Sequence, residues 1–241
     1  MSIVFEGTIS VKAALQSKYR KVNEIWMDEK KKSKDFGYIL KMCEVNNIIV
    51  KRVTREQIDE VASGKTHGGV IAFVSERRYV DIEELFACEK EHFFVLLEGI
   101  EDSYNVGYSL RSLYACGCQG VIMPKRDWSK DEGAIVKSSA GAYEKMPIYV
   151  CEEYDELLAK CKEEGVHLVC AMREDAIDMY DYDYTQSVIL ALGGPLRGLS
   201  STLLKNTSQN IYIPYANDFR NALNASSAVS ILGYEVFRQR R

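Results

Sequence analysis

The stretch FFVLLEGIEDSYNVGYSLRSLYACGCQGVIMP, residues 93–124, sets the pattern on which the fold prediction depends. Its apolar start, FFVLLEGI, predicts a buried strand; NVGYSLRSLYAC has the spacing of an amphipathic helix, and GVIMP predicts a second strand. A strand, a helix and a strand in this order are typical of parallel pairing. Because the alternation continues to the final helix, we predict an α/β domain with a mostly parallel sheet and helices on both faces.

Three loops of this domain are rich in glycine, asparagine or serine, and each follows a predicted strand. They are EGIEDSYNVGYSLRS after Leu97, GGPLRGLS after Leu192 and PYANDFRNALNAS after Ile213. Ligands of parallel sheets bind at the carboxyl ends of the strands, where helix N-termini also offer free N–H groups. Ordinary capping and turn chemistry explains any one such loop, but three in one sheet predict a binding site.

The first 78 residues differ in charge from the rest and predict a separate small α/β domain. They contain 15 Lys and Arg against 10 Asp and Glu, whereas residues 79–241 contain 16 against 25. A basic module joined to an acidic domain is typical of proteins that contact a polyanion, although EKKKSKD at 29–35 also fits the solvated start of a helix. We therefore predict a first domain at 1–78, a linker at 79–91 and a second domain at 92–241.

Composition excludes several classes of protein. No apolar run approaches the ~18–20 residues of a membrane helix, and the start MSIVFEGTIS lacks a signal-peptide pattern, so we expect a cytoplasmic protein. The seven cysteines are odd in number and scattered, with no CxxC pair or nearby histidine ligand set, which predicts neither disulfides nor a metal site. The motifs GxGxxG, GxxxxGK[ST], GxSxG and HExxH are absent, which argues against dinucleotide enzymes, P-loop ATPases and common hydrolases.

Three segments, EGIEDSYNVGYSLRSLYACGCQGVIMP, ILALGGPLRGLS and IYIPYANDFRNALNASSAVSILGYEVFRQR, resemble the three ordered motifs of the SpoU (TrmH-like) RNA 2′-O-ribose methyltransferases of the SPOUT superfamily. The first domain, with KAAL near its start and THGGVIAFV near its end, resembles the RNA-binding domain that often precedes them. The resemblance implies a parallel sheet with a C-terminal trefoil knot, an exception to the usual rule against knots. It also implies S-adenosyl-L-methionine as cofactor and a homodimer with its active site beside the subunit interface.

The same resemblance assigns roles to individual residues. It implies a catalytic set of Arg111, Asn105 and Asn224. The positions that match the family's donor pocket are Leu192, Gly193, Gly194, Gly198, Ile213, Pro214, Ala222 and Leu223. Asn224 also fits the N-cap of the final helix, and both roles are compatible.

Methyl transfer converts a cationic sulfonium to a neutral thioether while the ribose hydroxyl loses a proton, so the chemistry requires no metal. A dry pocket of backbone amides and carbonyls with apolar walls suits this cancellation of charge. Arginine stays protonated under ordinary conditions, so we expect Arg111 to clamp a phosphate and stabilise the developing alkoxide. A phosphate or solvent then accepts the proton.

Clustered cations of the first domain are the predicted RNA-binding residues, because they supply salt-dependent affinity for phosphates. They are Lys18, Arg20, Lys21, Lys30, Lys31, Lys32, Lys34, Lys65 and His67. For the His67 imidazole, the alternative is that it shapes the KTHGG turn, and the sequence favours this alternative, whereas it favours RNA contact for Lys65. A separate RNA-binding domain favours ribosomal RNA as substrate, by analogy with its relatives.

Two positions depart from the family pattern. Pro195 stands where the second motif usually has a glutamate, and Ala222 stands where the third motif usually has a serine. Both lost groups belong to the polar set near the reacting ribose. An active ribosomal RNA methyltransferase is the favoured interpretation, because loss of positioning groups usually weakens catalysis gradually. The alternatives are an RNA-binding protein with lost or altered catalysis and a tRNA 2′-O-methyltransferase.

Overall fold

The computed structural model describes residues 3–88 and 91–241. In the first part of the chain the helices and strands are β1 (Ile3–Glu6), α1 (Gly7–Leu15), β2 (Val22–Asp28), α2 (Lys34–Val45), β3 (Ile49–Val53), α3 (Arg55–Val61), β4 (Val70–Val74), α4 (Ile82–Phe86), β5 (Phe93–Glu98), α5 (Ser103–Ala115), β6 (Gly120–Pro124) and α6 (Glu132–Ser138). They are followed by β7 (Ile148–Cys151), α7 (Tyr154–Glu163), β8 (His167–Ala171), β9 (Ala176–Asp178), β10 (Val188–Gly193), α8 (Ser201–Asn206), β11 (Gln209–Tyr212) and α9 (Ala225–Gln239).

Contacts divide the chain into two compact units. The first unit comprises Met1–Arg78 and Asp127–Lys145, and the second comprises Tyr79–Arg126 and Met146–Arg241. The segment Asp127–Lys145, which contains α6, was expected from sequence to belong to the second domain. Its contacts place it in the first unit, so this unit is discontinuous in sequence.

The first unit has a four-stranded sheet in the order β1-β4-β2-β3. Strands β2 and β3 are parallel, whereas β4 is antiparallel to both of its neighbours. Fully buried side chains of Phe5, Ile25, Met27 and Ile71 come from three of the strands and form its core. The small α/β domain predicted from sequence is present, with β1 as an additional edge strand that the prediction did not include.

A buried ionic cluster ties Asp127–Lys145 into the first unit. Arg20 Nη1 donates to Glu132 Oε2 at 3.0 Å, and Arg20 Nε lies 2.8 Å from Glu144 Oε1. These side chains are at most 4% exposed. Burial disfavours the charged guanidinium, but the hydrogen bond to Glu132 and the two carboxylate charges outweigh it, so the pKa of Arg20 is raised. Removing one partner of such a cluster leaves a buried charge uncompensated.

The second unit is built on a seven-stranded sheet in the order β7-β6-β5-β10-β8-β11-β9. Every strand pair in this sheet is parallel. This confirms the predicted α/β class with a mostly parallel sheet. Because β10 lies between β5 and β8, and β11 lies beside β8, the carboxyl ends of β5, β8, β10 and β11 meet along one stretch of the sheet edge.

The predicted linker, 79–91, contains ordered structure that belongs to the second unit. Val80 forms a parallel bridge to Tyr149 of β7. The side chain of Asp81 caps α4 by accepting a hydrogen bond from the Glu84 amide at 2.8 Å. Glu89 and Lys90, which this linker includes, lie outside the described residues.

Candidate functional site

A cleft of about 660 Å³ lies at the carboxyl ends of β8, β10 and β11. Its floor and walls are mostly apolar side chains and main chain. The lining residues are Ala171, Met172, Arg173, Leu192, Gly193, Gly194, Pro195, Gly198, Ile211, Tyr212, Ile213, Tyr215, Arg220, Ala222, Leu223, Asn224, Ala225 and Ala228. Among these there is no aspartate or glutamate, so the described lining carries no negative side chain to attract a metal ion.

The loop after β10 requires glycine because the backbone passes other backbone closely. A Cβ added to Gly194 would lie 1.9 Å from the carbonyl oxygen of Gly99, and one added to Gly193 would lie 2.3 Å from the carbonyl carbon of Gly198. Gly198 itself has φ +65, a left-handed conformation that glycine adopts without strain. The glycines therefore let the backbone of this loop pack directly against the backbone of Gly99 and Gly198.

Glu98, at the end of β5, holds this loop through hydrogen bonds. Its side chain accepts a hydrogen bond from the Ser200 amide at 2.6 Å, and its backbone carbonyl accepts one from the Gly194 amide at 2.6 Å. The Tyr154 hydroxyl donates to the same carboxylate at 2.8 Å. Burial and this carboxylate raise the pKa of Tyr154, so the phenol stays protonated as a donor.

The loop after β11 forms the opposite wall and leads into α9. Asn224 is the N-cap of this helix, and its side-chain oxygen accepts a hydrogen bond from the Ser227 amide at 2.8 Å. The Tyr215 hydroxyl accepts a hydrogen bond from the Leu223 amide at 3.0 Å. Asn224 also lines the cleft, so its capping role and its place in the candidate site are compatible.

Arg173, which the sequence prediction did not include, fastens this second loop. It follows β8, and its Nη1 donates to the Arg220 carbonyl at 3.1 Å. Its Nη2 reaches the carbonyls of Phe219 at 3.5 Å and Asn221 at 3.4 Å. The guanidinium also lies 4.7 Å from the centre of the Tyr215 ring. The available sequence signal is weak, because Arg173 is an exposed arginine just after a predicted strand.

Most of the predicted donor-binding residues come together in this cleft. Leu192, Gly193, Gly194, Gly198, Ile213, Ala222 and Leu223 line it, and Pro214 is the one member of the predicted set that does not. Pro195 and Ala222, the two departures from the family pattern, also line it. The polar side chains in the lining are instead those of Arg173, Tyr212, Tyr215, Arg220 and Asn224.

Arg111 and Asn105, the other two predicted catalytic residues, lie on α5 and do not line the cleft. The Asn105 amide donates to the Asp102 side chain at 2.7 Å as part of the helix cap. Arg111 is exposed, and it makes no hydrogen bond or ion pair within the described residues. A single chain therefore does not bring its own Arg111 into the described lining of the cleft.

In the first unit, most of the predicted RNA-binding lysines are on the surface. Lys18, Lys21, Lys30, Lys32, Lys34 and Lys65 are exposed. Lys31 is half-buried, and its ammonium donates to the Gly68 carbonyl at 2.6 Å, which joins its segment to the 63–69 turn. Lys137 of α6 reaches the same turn, donating to the Thr66 hydroxyl at 2.5 Å. Lys137 was missed from sequence because it lies far along the chain from the other lysines.

The structure corrects two of the predicted RNA-binding residues. The Arg20 side chain is fully buried and paired with Glu132 and Glu144, so its charge is committed within the unit. The His67 side chain is also fully buried. Its Nδ1 accepts from the Gly69 amide at 3.1 Å, which leaves Nε2 to donate to Asp59 at 2.6 Å. The imidazole shapes the turn, which is the alternative interpretation of the sequence.

The cysteines do not form a reactive or metal-binding centre within the described residues. Six of the seven are buried, and Cys88 is exposed. Burial raises the pKa of Cys43 and of Cys151 to about 11 and that of Cys161 to about 12, so these thiols are not ionised at neutral pH. Across residues 3–88 and 91–241, no group of three or more potential metal ligands was found, and no helix has the length and apolar content to cross a bilayer.

Comparison with known families agrees with the two parts of the chain. Residues 92–234 match the SpoU rRNA Methylase family. Residues 4–80 match the RNA 2′-O ribose methyltransferase substrate binding family. These two matches together cover most of the chain, and the first covers the cleft and both of its loops.

Relatives and solved structures of this class align along nearly the whole chain. A protein of Staphylococcus saprophyticus assigned to the TrmH family of tRNA/rRNA methyltransferases is 31% identical, over 99% of this chain and 96% of its own. The SpoU methyltransferase AviRb from Streptomyces viridochromogenes superposes with a TM-score of 0.83 at 22% identity, covering 99% of this chain and 90% of its own. An AdoMet-bound rRNA methyltransferase from Sinorhizobium meliloti superposes with a TM-score of 0.80 at 21% identity, covering 98% of this chain and 87% of its own.

With this sheet and cleft on the second unit, the family matches over residues 92–234 and 4–80 identify an RNA methyltransferase. The chain belongs to the SpoU rRNA methylase family, and SpoU methyltransferases use S-adenosylmethionine as methyl donor. The fold matches the SpoU methyltransferase structures, and this match is consistent with the trefoil knot predicted from sequence.

Proposed function

We propose that the protein transfers the methyl group of S-adenosylmethionine to a ribose 2′-hydroxyl of ribosomal RNA in the cytoplasm. The observation that carries the proposal is the cleft, because seven of the eight donor-binding residues predicted from the motifs line it. The substrate-binding family match over residues 4–80 and the exposed lysines of the first unit support RNA as the partner. A tRNA substrate is the second candidate, since the Staphylococcus relatives are named for both RNAs.

The cleft fits the methyl donor on structural grounds. Gly193 and Gly194 lack the Cβ atoms that would clash with neighbouring backbone, and both residues line the space that the donor would occupy. Leu192, Ile213 and Leu223 supply apolar contacts. The absence of carboxylates from the described lining means that a sulfonium is not paired with a fixed negative charge there, which would stabilise the charged ground state.

The donor supplies an electrophilic methyl carbon, and the chain's own residues hold and orient the reacting groups. Asn224, fixed as the N-cap of α9, presents a polar side chain at the cleft. Arg111 binds a phosphate of the target nucleotide and stabilises the alkoxide as the hydroxyl proton leaves to a phosphate or solvent. Asn105 precedes Arg111 on α5, and its amide takes part in the cap at the start of this helix.

A homodimer explains why Arg111 lies away from the cleft of its own chain. Tyr104, Tyr108 and Arg111 lie four and three residues apart, so they share one face of α5. Tyr104 and Tyr108 are 54% and 48% exposed, and α9, which packs beside α5, exposes Ile231, Tyr234 and Phe237. An exposed apolar patch of this kind is typical of an interface. A second copy that covers this face would bring its own Arg111 towards the cleft.

The direct test is transfer of labelled methyl from S-adenosylmethionine to unmodified ribosomal RNA and, separately, to unmodified tRNA. Label in the ribose 2′-O-methyl fraction of ribosomal RNA, lost in Arg111→Ala, supports the proposal. Lys162→Ala is the control, because it removes an exposed cation of α7 outside the cleft lining. Label on tRNA alone would show that tRNA is the substrate. If neither RNA is labelled although the donor binds, the proposed methyltransferase activity is wrong, and the protein is an RNA-binding protein without turnover.

A complementation experiment tests the shared site. Arg111→Ala and Leu223→Glu chains should each be inactive, the first through its arginine and the second through its donor cleft. Co-expressed chains form mixed dimers with one intact combination, so we expect about a quarter of wild-type activity from random pairing. Activity that stays at the level of the single variants would contradict a site shared between two copies.

A further inference from the structure

Arg220 brings to the cleft a positive charge that is not part of any ion pair among the described residues. It lines the cleft and is exposed. Its side chain makes no hydrogen bond or ion pair within the described residues, and the described lining contains no aspartate or glutamate. An arginine in such a position can bind an anion without first breaking an internal pair.

Arg173, the other cation of the lining, already forms hydrogen bonds within the protein. Its guanidinium donates to the carbonyls of Phe219, Arg220 and Asn221 and stacks near Tyr215. A guanidinium has five donors in a rigid fork and accepts nothing, so these contacts use most of its capacity. Their effect is to fix the backbone on both sides of Arg220, which lowers the entropy lost when that side chain binds a ligand.

The chemistry of Arg220 selects the ligand. A planar guanidinium binds phosphate through two parallel hydrogen bonds, and RNA carries a phosphate on either side of any ribose that enters the cleft. We propose that Arg220 binds a backbone phosphate of the substrate RNA at the cleft and that Arg173 is the positioning residue that holds it there. This inference rests on the proposed function and assigns a substrate contact separate from that of Arg111.

The experiment measures binding of unmodified large-subunit ribosomal RNA, made by transcription, to the full chain with S-adenosylhomocysteine present, over a series of salt concentrations. For Arg220→Ala we expect affinity to fall roughly three- to tenfold and the slope of log K against log salt to lose about 0.7–0.9, the share of one phosphate. Arg220→Lys should retain the slope, since it keeps a point charge. Lys162→Ala should match the wild type.

The role of Arg173 is tested by a double-mutant cycle. If Arg173 acts on RNA through Arg220, the losses from Arg173→Ala and Arg220→Ala should not add, and the double variant should bind RNA no more weakly than Arg220→Ala. A merely structural Arg173 gives losses that add. In Arg173→Lys, the slope of log K against log salt should stay at the value found for Arg173→Ala, because an ammonium group cannot bind three carbonyls at once.

Titration of S-adenosylmethionine into the same variants separates the remaining outcomes. An unchanged donor affinity in Arg220→Ala, with weakened RNA binding, supports the proposal. A weakened donor affinity with unchanged RNA binding overturns it and assigns Arg220 to the donor carboxylate. Wild-type RNA affinity and slope in Arg220→Ala also overturn it. A wild-type chain that binds no donor overturns the proposed function instead, and the RNA titrations without S-adenosylhomocysteine still decide the role of Arg220.

Discussion

The loop after β10 and the loop after β11 border the same cleft, but they are held in different ways. Residues 193–200 keep their shape because side chains are absent at Gly193 and Gly194, and because Glu98 binds two of their amides. Residues 213–224 keep their shape through side-chain hydrogen bonds: Arg173 donates to three carbonyls, and the Tyr215 hydroxyl accepts from the Leu223 amide. Close backbone packing and the contacts of Glu98 fix the first loop, whereas the second depends on side-chain contacts that can be removed singly.

The largest effect is expected at Gly194. Gly194→Ala puts a methyl group 1.9 Å from the Gly99 carbonyl oxygen, a backbone atom that cannot move aside cheaply. We expect a loss of about 3 kcal/mol in the free energy of unfolding, at the upper end of overpacking, and no measurable donor binding. Denaturant unfolding and calorimetry provide the measurements.

Gly198→Ala is the matched control for that change. Nothing lies within 4 Å of the added Cβ, so only the positive φ of +65 is penalised. A cost of about 1 kcal/mol is expected. Equal losses for Gly194→Ala and Gly198→Ala would contradict a loop fixed by close backbone contact.

Arg173→Ala should produce the next largest effect, and it should lower donor affinity more than the free energy of unfolding. It releases three carbonyls of an exposed segment, so we expect S-adenosylmethionine to bind about tenfold more weakly, with a change of at most about 1 kcal/mol in stability. Calorimetric titration measures the first and denaturant unfolding the second. Donor affinity equal to that of Lys162→Ala would show that the second loop does not depend on this arginine.

Tyr215→Phe removes one hydrogen bond and keeps the ring under Arg173. The Leu223 amide then loses its partner at the point where it borders the cleft. We expect about fivefold weaker donor binding, the equivalent of about 1 kcal/mol for one hydrogen bond. Calorimetric titration of the donor measures it, and a loss larger than that of Arg173→Ala would make Tyr215 the main support of the second loop.

The smallest effect is expected at the tip of the first loop. Leu196 is 91% exposed and does not line the cleft. Leu196→Ala should change stability by less than about 0.5 kcal/mol and leave donor affinity unaltered. A clear loss of donor binding would mean that side chains as well as glycines shape this loop.

The same contrast explains what the sequence could predict. Glycines after a buried strand are a local signal, so Gly193, Gly194 and the fold around them could be predicted from motif and periodicity. Arg173 could not, because it lies more than forty residues from the carbonyls that it binds, and the contact exists only once β8 and β11 are neighbours. Pairings between distant segments leave no periodicity in a single sequence.

Long-range pairing also accounts for the errors in the first unit. Arg20 lies among other cations in the sequence, which is why it was predicted to bind RNA. Its burial depends on Glu132 and Glu144, which lie more than a hundred residues away in the sequence. Strand β1 is only four residues long, which gives too short a window for an alternating pattern. The strand GVIMP of the second unit, by contrast, was predicted with the bounds of β6, because its apolar run is a local signal.

The most direct test of a single methyl-donor site is a titration of S-adenosylmethionine into the isotope-labelled full chain, followed by backbone amide NMR shifts. We predict that the largest shifts fall in both loops, at residues 192–200 and 213–224, and that the second group shrinks in Arg173→Ala. Shifts that fall mainly outside these two loops, or none at saturating donor, would contradict the claim that they form one methyl-donor site.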